Sequence, residues 1–159
     1  MKKLFFYTTL SISPIFFSLN TYSENIDKEN QDQYISLTTE FKVRERNIYH
    51  IDRLCSGDLY SKWQKQNQVE LSKLGIANKK LYKHILATKG SDGALTFVID
   101  QNDMAAKKSS IFSKKLLKKS KNKKEILCGT YGDEIASGKW NVSTMAPANY
   151  ELLMSLQPD

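Results

Sequence analysis

The sequence predicts an α+β fold, in which several helices pack on a small, mainly antiparallel sheet and one disulfide joins two distant segments. Three observations favour it. Apolar residues recur at helical spacing over long stretches, three short segments have the composition of strands, and the chain contains two cysteines. The alternative is a mostly α-helical fold.

Residues 1–23 have the layout of a secretory signal peptide. A positive start, MKK, precedes an apolar run that ends near Leu19, and small or polar residues lead to the expected cleavage after Ser23. The run is too short and too rich in hydroxyl side chains to span a bilayer, which requires about 20 apolar residues. We therefore predict a signal peptide followed by one globular domain, residues 24–159. An uncleaved anchor or a buried first helix is the alternative.

Export has a consequence for Cys55 and Cys128. Oxidising compartments form and keep disulfides, so we predict that these two residues are joined. Two free thiols or an intermolecular bridge are the alternatives. The predicted compartment is the bacterial periplasm, or the medium if the protein is secreted, with no integral membrane span after removal of the signal peptide.

The first element of the mature chain is ambiguous between two periods. Apolar and polar residues alternate from Ile35 to Val43, as in a half-buried strand. A helical stripe covers more of the region and continues where the alternation stops; it comprises Tyr34, Leu37, Phe41, Ile48, Ile51 and Cys55. We predict a helix, because this pattern explains more residues over a longer span.

Glycines and capping residues divide the next part of the chain. Gly57 is suited to end the first helix and Asp58 to cap a second one, which is interrupted by a polar turn at residues 64–68 and ends near Gly75. Asn78 is suited to cap a third helix.

The rest of the chain supplies the predicted sheet. The third helix stops near Gly90, and residues 94–100 form a short, β-branched strand. Residues 125–131 and 139–144 are predicted as two further strands. A proline at the first turn then favours a short final helix over residues 147–156.

A lysine-rich helix precedes the second of these strands. Nine lysines between Lys107 and Lys124 have no acidic residue among them. If this helix binds a partner, the candidate residues are Trp140 and six lysines that would attract an acidic protein or an anionic envelope polymer: Lys107, Lys108, Lys114, Lys115, Lys118 and Lys119. The lack of arginine for bidentate phosphate contacts argues against nucleic acid. The interpretation that we favour is a solvated helix face without a partner.

The sequence offers little for catalysis. Of the two histidines, His84 lies among lysines, which disfavour a proton or a metal on the imidazole. His50 is two residues from Asp52, a spacing that places their side chains on different faces of a helix. No nucleophile elbow, metalloprotease, Walker or dinucleotide motif occurs. We therefore predict no catalytic residue, metal site or cofactor, and a protein that is not an enzyme.

Together these patterns predict a small exported binding or accessory protein of the cell envelope, of the kind that serves a pilus or a secretion system. Its partner would be another envelope or exported protein, and an acidic one would be attracted by the lysines. One alternative is a periplasmic inhibitor or immunity protein against a toxin or wall-cleaving enzyme, with Gly132–Trp140 as the inserting loop. The other is a small envelope hydrolase with paired carboxylates.

Overall fold

A computed structural model describes Ile26, residues 28–55 and residues 57–157. This part of the chain contains helices and turns but no strand. The helices are α1 (Lys28–Cys55), α2 (Leu59–Gln66), α3 (Gln68–Ser120), α4 (Lys124–Ala136) and α5 (Pro147–Ser155), with a 3₁₀ helix at Val142–Thr144. The predicted sheet is therefore wrong, and the mostly α-helical alternative describes the protein.

The predicted signal peptide, residues 1–23, lies outside the described residues. Among the helices that the structure does describe, none is both long and apolar enough to cross a membrane.

The long helix α1 is the element on which the others pack. Its predicted helical stripe is confirmed, and the buried members are Tyr34, Leu37, Phe41, Ile48 and Ile51. Trp63 of α2 is fully buried against this stripe, and its ring stacks on Phe41 with the centroids 5.9 Å apart. The same core extends into α3 through Leu74, Ala77, Leu81 and Ile85.

Helix α3 is a helical hairpin whose two arms, residues 68–89 and residues 91–120, meet at Gly90. Gly90 has φ 70° and ψ −176°, a backbone conformation open essentially to glycine alone. Just after this turn, Gly93 lies close to Lys89 at the end of the first arm. A Cβ at position 93 would lie only 2.4 Å from the Cβ of Lys89, so glycine is required there. The predicted stop near Gly90 thus marks a reversal of the chain.

Contacts with α1 show the same reversal. Three hydrogen bonds show which part of α1 each part of α3 lies beside. They join His84 to Gln31 (3.1 Å), Gln101 to Thr38 (2.5 Å) and Ser109 to Asn47 (2.9 Å). A straight helix would advance about 26 Å over residues 84–101, whereas α1 advances only about 11 Å over residues 31–38. The first arm therefore runs antiparallel to α1, and the second arm returns parallel to it.

Replacing Gly90 with alanine will lower the free energy of unfolding by about 1–3 kcal/mol, because alanine adopts this backbone conformation only with strain. Gly75 is the matched control. It was predicted to end a helix, but it lies exposed inside the first arm with open space where a Cβ would be. Gly75→Ala will raise the free energy of unfolding by about 0.5–1 kcal/mol. Urea unfolding followed by circular dichroism measures both, and effects of the same sign would contradict the hairpin.

The predicted strand at residues 94–100 belongs to the second arm of α3. Ala94 and Gln101 are buried against the rest of the bundle at a helical spacing, whereas Leu95 and Ile99 are 61% and 50% exposed. The apolar run therefore faces both the core and the solvent. Tertiary packing of one helical stripe has outweighed the β-propensity of the segment.

The other two predicted strands are also wrong. Residues 125–131 lie in α4, which is held to the core by the fully buried Ile135. Residues 139–144 form turns and the 3₁₀ helix, and their backbone groups bond to side chains instead of to a neighbouring strand. The predicted final helix is confirmed as Pro147–Ser155.

Two of the predicted caps have other roles. Helix α2 begins directly after Asp58 as expected, but the carboxylate makes no capping hydrogen bond and pairs with Lys62 at 2.8 Å. Asn78 lies inside α3 because the buried stripe continues through it. The polar turn at residues 64–68 is confirmed as a break between α2 and α3 at Asn67.

The predicted disulfide is present between Cys55, the last residue of α1, and Cys128 in α4. The two Cα atoms are 5.5 Å apart, and the cysteines are 73 positions apart in the sequence. Cys128 was expected on a strand and lies on a helix. The bond fixes α4 beside the C-terminal end of α1.

The segment between α4 and α5, residues 138–146, is attached to α1 and α2 by polar side chains, and we call it the anchored segment. Its hydrogen bonds include Trp63 Nε1 to the Trp140 carbonyl (2.8 Å), the Val142 N–H to Asn67 Oδ1 (2.8 Å) and Arg44 Nη2 to the Thr144 carbonyl (3.2 Å). Asn67 is buried, so its bond to Val142 takes the place of a bond to water, which cannot reach this side chain. Together these hydrogen bonds fix the position of Trp140.

Candidate partner-binding surface

The six candidate lysines all lie exposed on the second arm of α3. Residues 7 and 11 positions apart return to nearly the same side of a helix. One row therefore comprises Lys107, Lys114 and Lys118, and a neighbouring row comprises Lys108, Lys115 and Lys119. We call the two rows together the lysine face. Within the described part of the chain, none of these six ammonium groups makes a hydrogen bond or an ion pair.

The lysine face does not stabilise its own helix. Lysines four positions apart, such as Lys114 and Lys118, repel each other. Each such pair destabilises the helix by a few tenths of a kcal/mol. The arm is held in place from its opposite side, where Leu116 is buried and Ser109 donates to Asn47 at 2.9 Å.

Trp140 is fixed by aromatic and polar contacts at once. Its ring meets Phe112 and Tyr131 edge to face, with both centroid distances at 5.9 Å. Its Nε1 donates to Glu134 Oε2 at 2.9 Å, and Lys139 pairs with the same carboxylate. The hydrogen bond from Lys139 lowers the pKa of Glu134, and burial together with that carboxylate raises the pKa of Tyr131. The indole is therefore held in one orientation.

A groove of about 610 Å³ runs along the outer side of α1, and we call it the α1 groove. The helix forms its floor, and the second arm of α3 and the anchored segment form its walls. The apolar lining residues are Ile35, Val43, Met104 and Trp140. A volume of this size is in the range of ligand-binding clefts.

The structure brings Lys108 and Trp140 together, since both line the α1 groove. Lys114 lies on the other flank of the arm, beside a shallow pocket that His50 also lines. The four remaining candidate lysines are exposed along the helix, and they are Lys107, Lys115, Lys118 and Lys119.

Thr39 in the floor of the groove was not predicted as a site residue. It is 5% exposed, and its Oγ1 is the only buried side-chain polar atom in the described residues without a hydrogen-bond partner. The neighbouring Thr38 donates to the Tyr34 carbonyl at 2.8 Å, as hydroxyls in helices commonly do. A buried hydroxyl without a partner calls for an explanation.

A signal for the groove was present in the sequence. The alternation from Ile35 to Val43 that resembled a strand consists of two helical stripes on opposite sides of α1. Leu37 and Phe41 belong to the core, whereas Ile35, Thr39 and Val43 line the groove, and Ile35 also packs against the edge of the core. Two stripes with a period of four residues, offset by two, produce an apparent period of two.

The predicted inserting loop, Gly132–Trp140, is not an open loop. Gly132 and the four residues after it are in α4, and the remainder consists of turns. Trp140 is packed and hydrogen-bonded as described above, so its indole cannot reach out as a plug without breaking these contacts.

The two histidines lie apart from the α1 groove. His84 Nε2 lies 3.1 Å from Gln31 Oε1. Burial and the charges of Arg46 and Arg53 lower the pKa of His50 below its ordinary value of 6.5.

This shift of the His50 pKa predicts a pH dependence of stability. In the folded protein His50 binds its proton less tightly than it does in the unfolded chain. The free energy of unfolding is therefore highest, as far as His50 is concerned, above about pH 6.5, and it decreases as the pH falls below that value. His50→Gln will remove this part of the dependence. Urea unfolding of both proteins between about pH 5 and 8 measures it, and identical pH profiles would contradict the shift.

Within the residues that the structure describes, no group of three or more histidine, cysteine or acidic side chains is placed to hold a metal ion. No protein-family model matches the chain, and no curated protein or solved structure matches it either.

Proposed function

We propose that the chain is a binding or accessory protein of the cell envelope, without enzymatic activity, that acts in the periplasm or outside the cell and binds an acidic protein. A component serving a pilus or a secretion system is the class we favour. The lysine face is the observation that carries this proposal.

Three properties of the lysine face support an acidic partner. Its charges repel one another and gain no ion pair within the described residues, so an external partner would relieve them. Its lysines are compact point charges, which suit carboxylates presented in varied geometry better than they suit bidentate phosphate contacts. Such a field also speeds the encounter with a partner of opposite charge. The disulfide supports an oxidising compartment.

A charge-neutralised variant tests the role of the lysine face. With Lys114, Lys115, Lys118 and Lys119 replaced by glutamine, affinity for poly-L-glutamate will fall on the order of tenfold at low salt, because the local positive field is lost. The fold will remain, since these side chains are exposed. Isothermal titration with the purified protein measures the affinity, and circular dichroism checks the fold.

A matched control removes four exposed lysines elsewhere, by glutamine substitution at Lys62, Lys65, Lys83 and Lys89. An equal loss in this control would show that net charge alone is at work and would overturn the role of the lysine face. Duplex DNA and phosphatidylglycerol vesicles are the competing probes. Tighter binding to either than to poly-L-glutamate would overturn the acidic-protein proposal.

A further inference from the structure

The α1 groove leaves one side of α1 only partly covered by the second arm of α3 and the anchored segment. Ile35, Thr39 and Val43 line its floor four positions apart, so they form one stripe along the helix. Small and β-branched side chains of this kind let a second helix approach to the usual interaxial distance of about 8–10 Å.

The hydroxyl of Thr39 lies in the middle of this stripe. It is buried, it lines the groove, and it lacks a hydrogen-bond partner among the described residues. Leaving such a group unpaired is unfavourable, but the oxygen is closed off from the groove in this conformation, so a polar side chain entering the groove would supply the missing bond only after the Thr39 side chain rotates about χ1.

The charges at the two ends of the groove have opposite signs. Asp32 lies at one end, and Lys108 lies at the other, because its neighbour Ser109 is bonded to Asn47. Both charged side chains are exposed and make no ion pair within the described residues. The 15 positions from Asp32 to Asn47 correspond to about 22 Å along α1.

The other charged groups of the groove are engaged inside the protein. The pairs are Glu40 with Asn149 (2.7 Å), Arg44 with the Thr144 carbonyl (3.2 Å) and Lys139 with Glu134. Burial also lowers the pKa of Arg44. The charges left for a partner are therefore those at the two ends.

We infer that the α1 groove binds an amphipathic α-helix of the acidic partner, lying antiparallel to α1, with its acidic first turn at Lys108 and its basic last turn at Asp32. Helices commonly carry acidic residues in the first turn and basic residues in the last, so this orientation matches both ends at once. The span holds about 15 helical residues. A glutamine or asparagine in the middle of the helix bonds to Thr39 once the threonine side chain has rotated toward the groove.

This inference rests on the proposed function and deepens it. The row of Lys108 continues beyond the groove through Lys115 and Lys119, so acidic residues that precede the docked helix meet the lysine face. The groove thereby sets the register of a partner that the lysine face attracts.

Two synthetic 15-residue peptides test the orientation. Each has a leucine and alanine stripe and a central glutamine; one carries glutamates in its first turn and lysines in its last, and the other carries the reverse. The first will bind the purified protein about tenfold more tightly at low salt, because only its charges fit the groove in the antiparallel direction. Asp32→Asn and Lys108→Gln will each reduce this preference. Equal affinities, or no saturable binding of either peptide, would overturn the inference.

Thr39→Val tests the hydroxyl. Valine keeps the shape, so thermal unfolding will show an unchanged or slightly raised midpoint, and affinity for the glutamine-centred peptide will fall about fivefold. Affinity for a leucine-centred version will not fall. Thr38→Val is the matched control, since Thr38 bonds to Tyr34 and Gln101, and it will lower the midpoint. A lowered midpoint for Thr39→Val, or equal losses for both peptides, would sink the role of Thr39.

Poly-L-glutamate separates the two proposals. Binding of the polymer through the lysine face without discrimination between the peptides leaves the proposed function standing and overturns the groove. Discrimination between the peptides without binding of the polymer supports the groove and overturns the lysine face.

Discussion

Replacing Cys55 and Cys128 with serine will lower the free energy of unfolding by about 4 kcal/mol. The bond closes a loop of 73 residues, and the chain entropy that this removes from the unfolded state is on the order of 4 kcal/mol. It also joins α1 to α4, so the variant will lose the attachment of α4 first. Urea unfolding of the wild type and the double variant measures the difference.

Reduction of the wild-type protein provides the control for this prediction. A reductant will lower the stability of the wild type to that of the double variant and leave the variant itself unchanged. A loss below about 1 kcal/mol would show that the bond restrains little of the unfolded chain.

Truncating Trp63 to alanine will lower the free energy of unfolding by about 3–5 kcal/mol. The side chain is fully buried, it stacks on Phe41, and its Nε1 donates to the Trp140 carbonyl at 2.8 Å. The variant loses apolar contacts, leaves a cavity and orphans a carbonyl of the anchored segment. Chemical unfolding measures the loss.

Trp63→Phe keeps the measurement possible if the alanine variant does not fold. It retains most of the packing and loses the hydrogen bond, so a loss of about 2 kcal/mol is expected. Val69→Ala is the control, because Val69 is 61% exposed and its truncation changes stability by less than about 0.5 kcal/mol. Losses of similar size at positions 63 and 69 would refute this description of the core.

Two kinds of feature could be predicted from the sequence: helices with a long apolar stripe, and helix ends marked by a glycine. The stripe on α1 extends far enough to outweigh a competing alternation, and Gly90 stops a helix because its backbone conformation excludes other residues. Residues 94–100 and 125–131 are too short for their period to be decisive. Whether such a segment is a strand or a helix depends on packing partners that local sequence does not reveal.

The same division applies to the candidate site. The lysine face follows from local sequence, since a helical stretch without acidic residues must present its lysines to solvent or to a partner. The α1 groove depends on how the second arm of α3 and the anchored segment lie against α1. Lys108 and Trp140 are each far in sequence from Thr39, and nothing local places them around the same space.

The anchored segment also sets the order in which parts of the chain can fold. Arg44 is 97 residues from Asn141, and Asn67 is 75 from Val142, so these bonds form only after the anchored segment has emerged. The α3 hairpin joins sequence neighbours and can form earlier. A chain that ends before residue 138 lacks one wall of the α1 groove and leaves Asn67 without its distant partners. The groove is therefore complete only after the anchored segment has docked on α1.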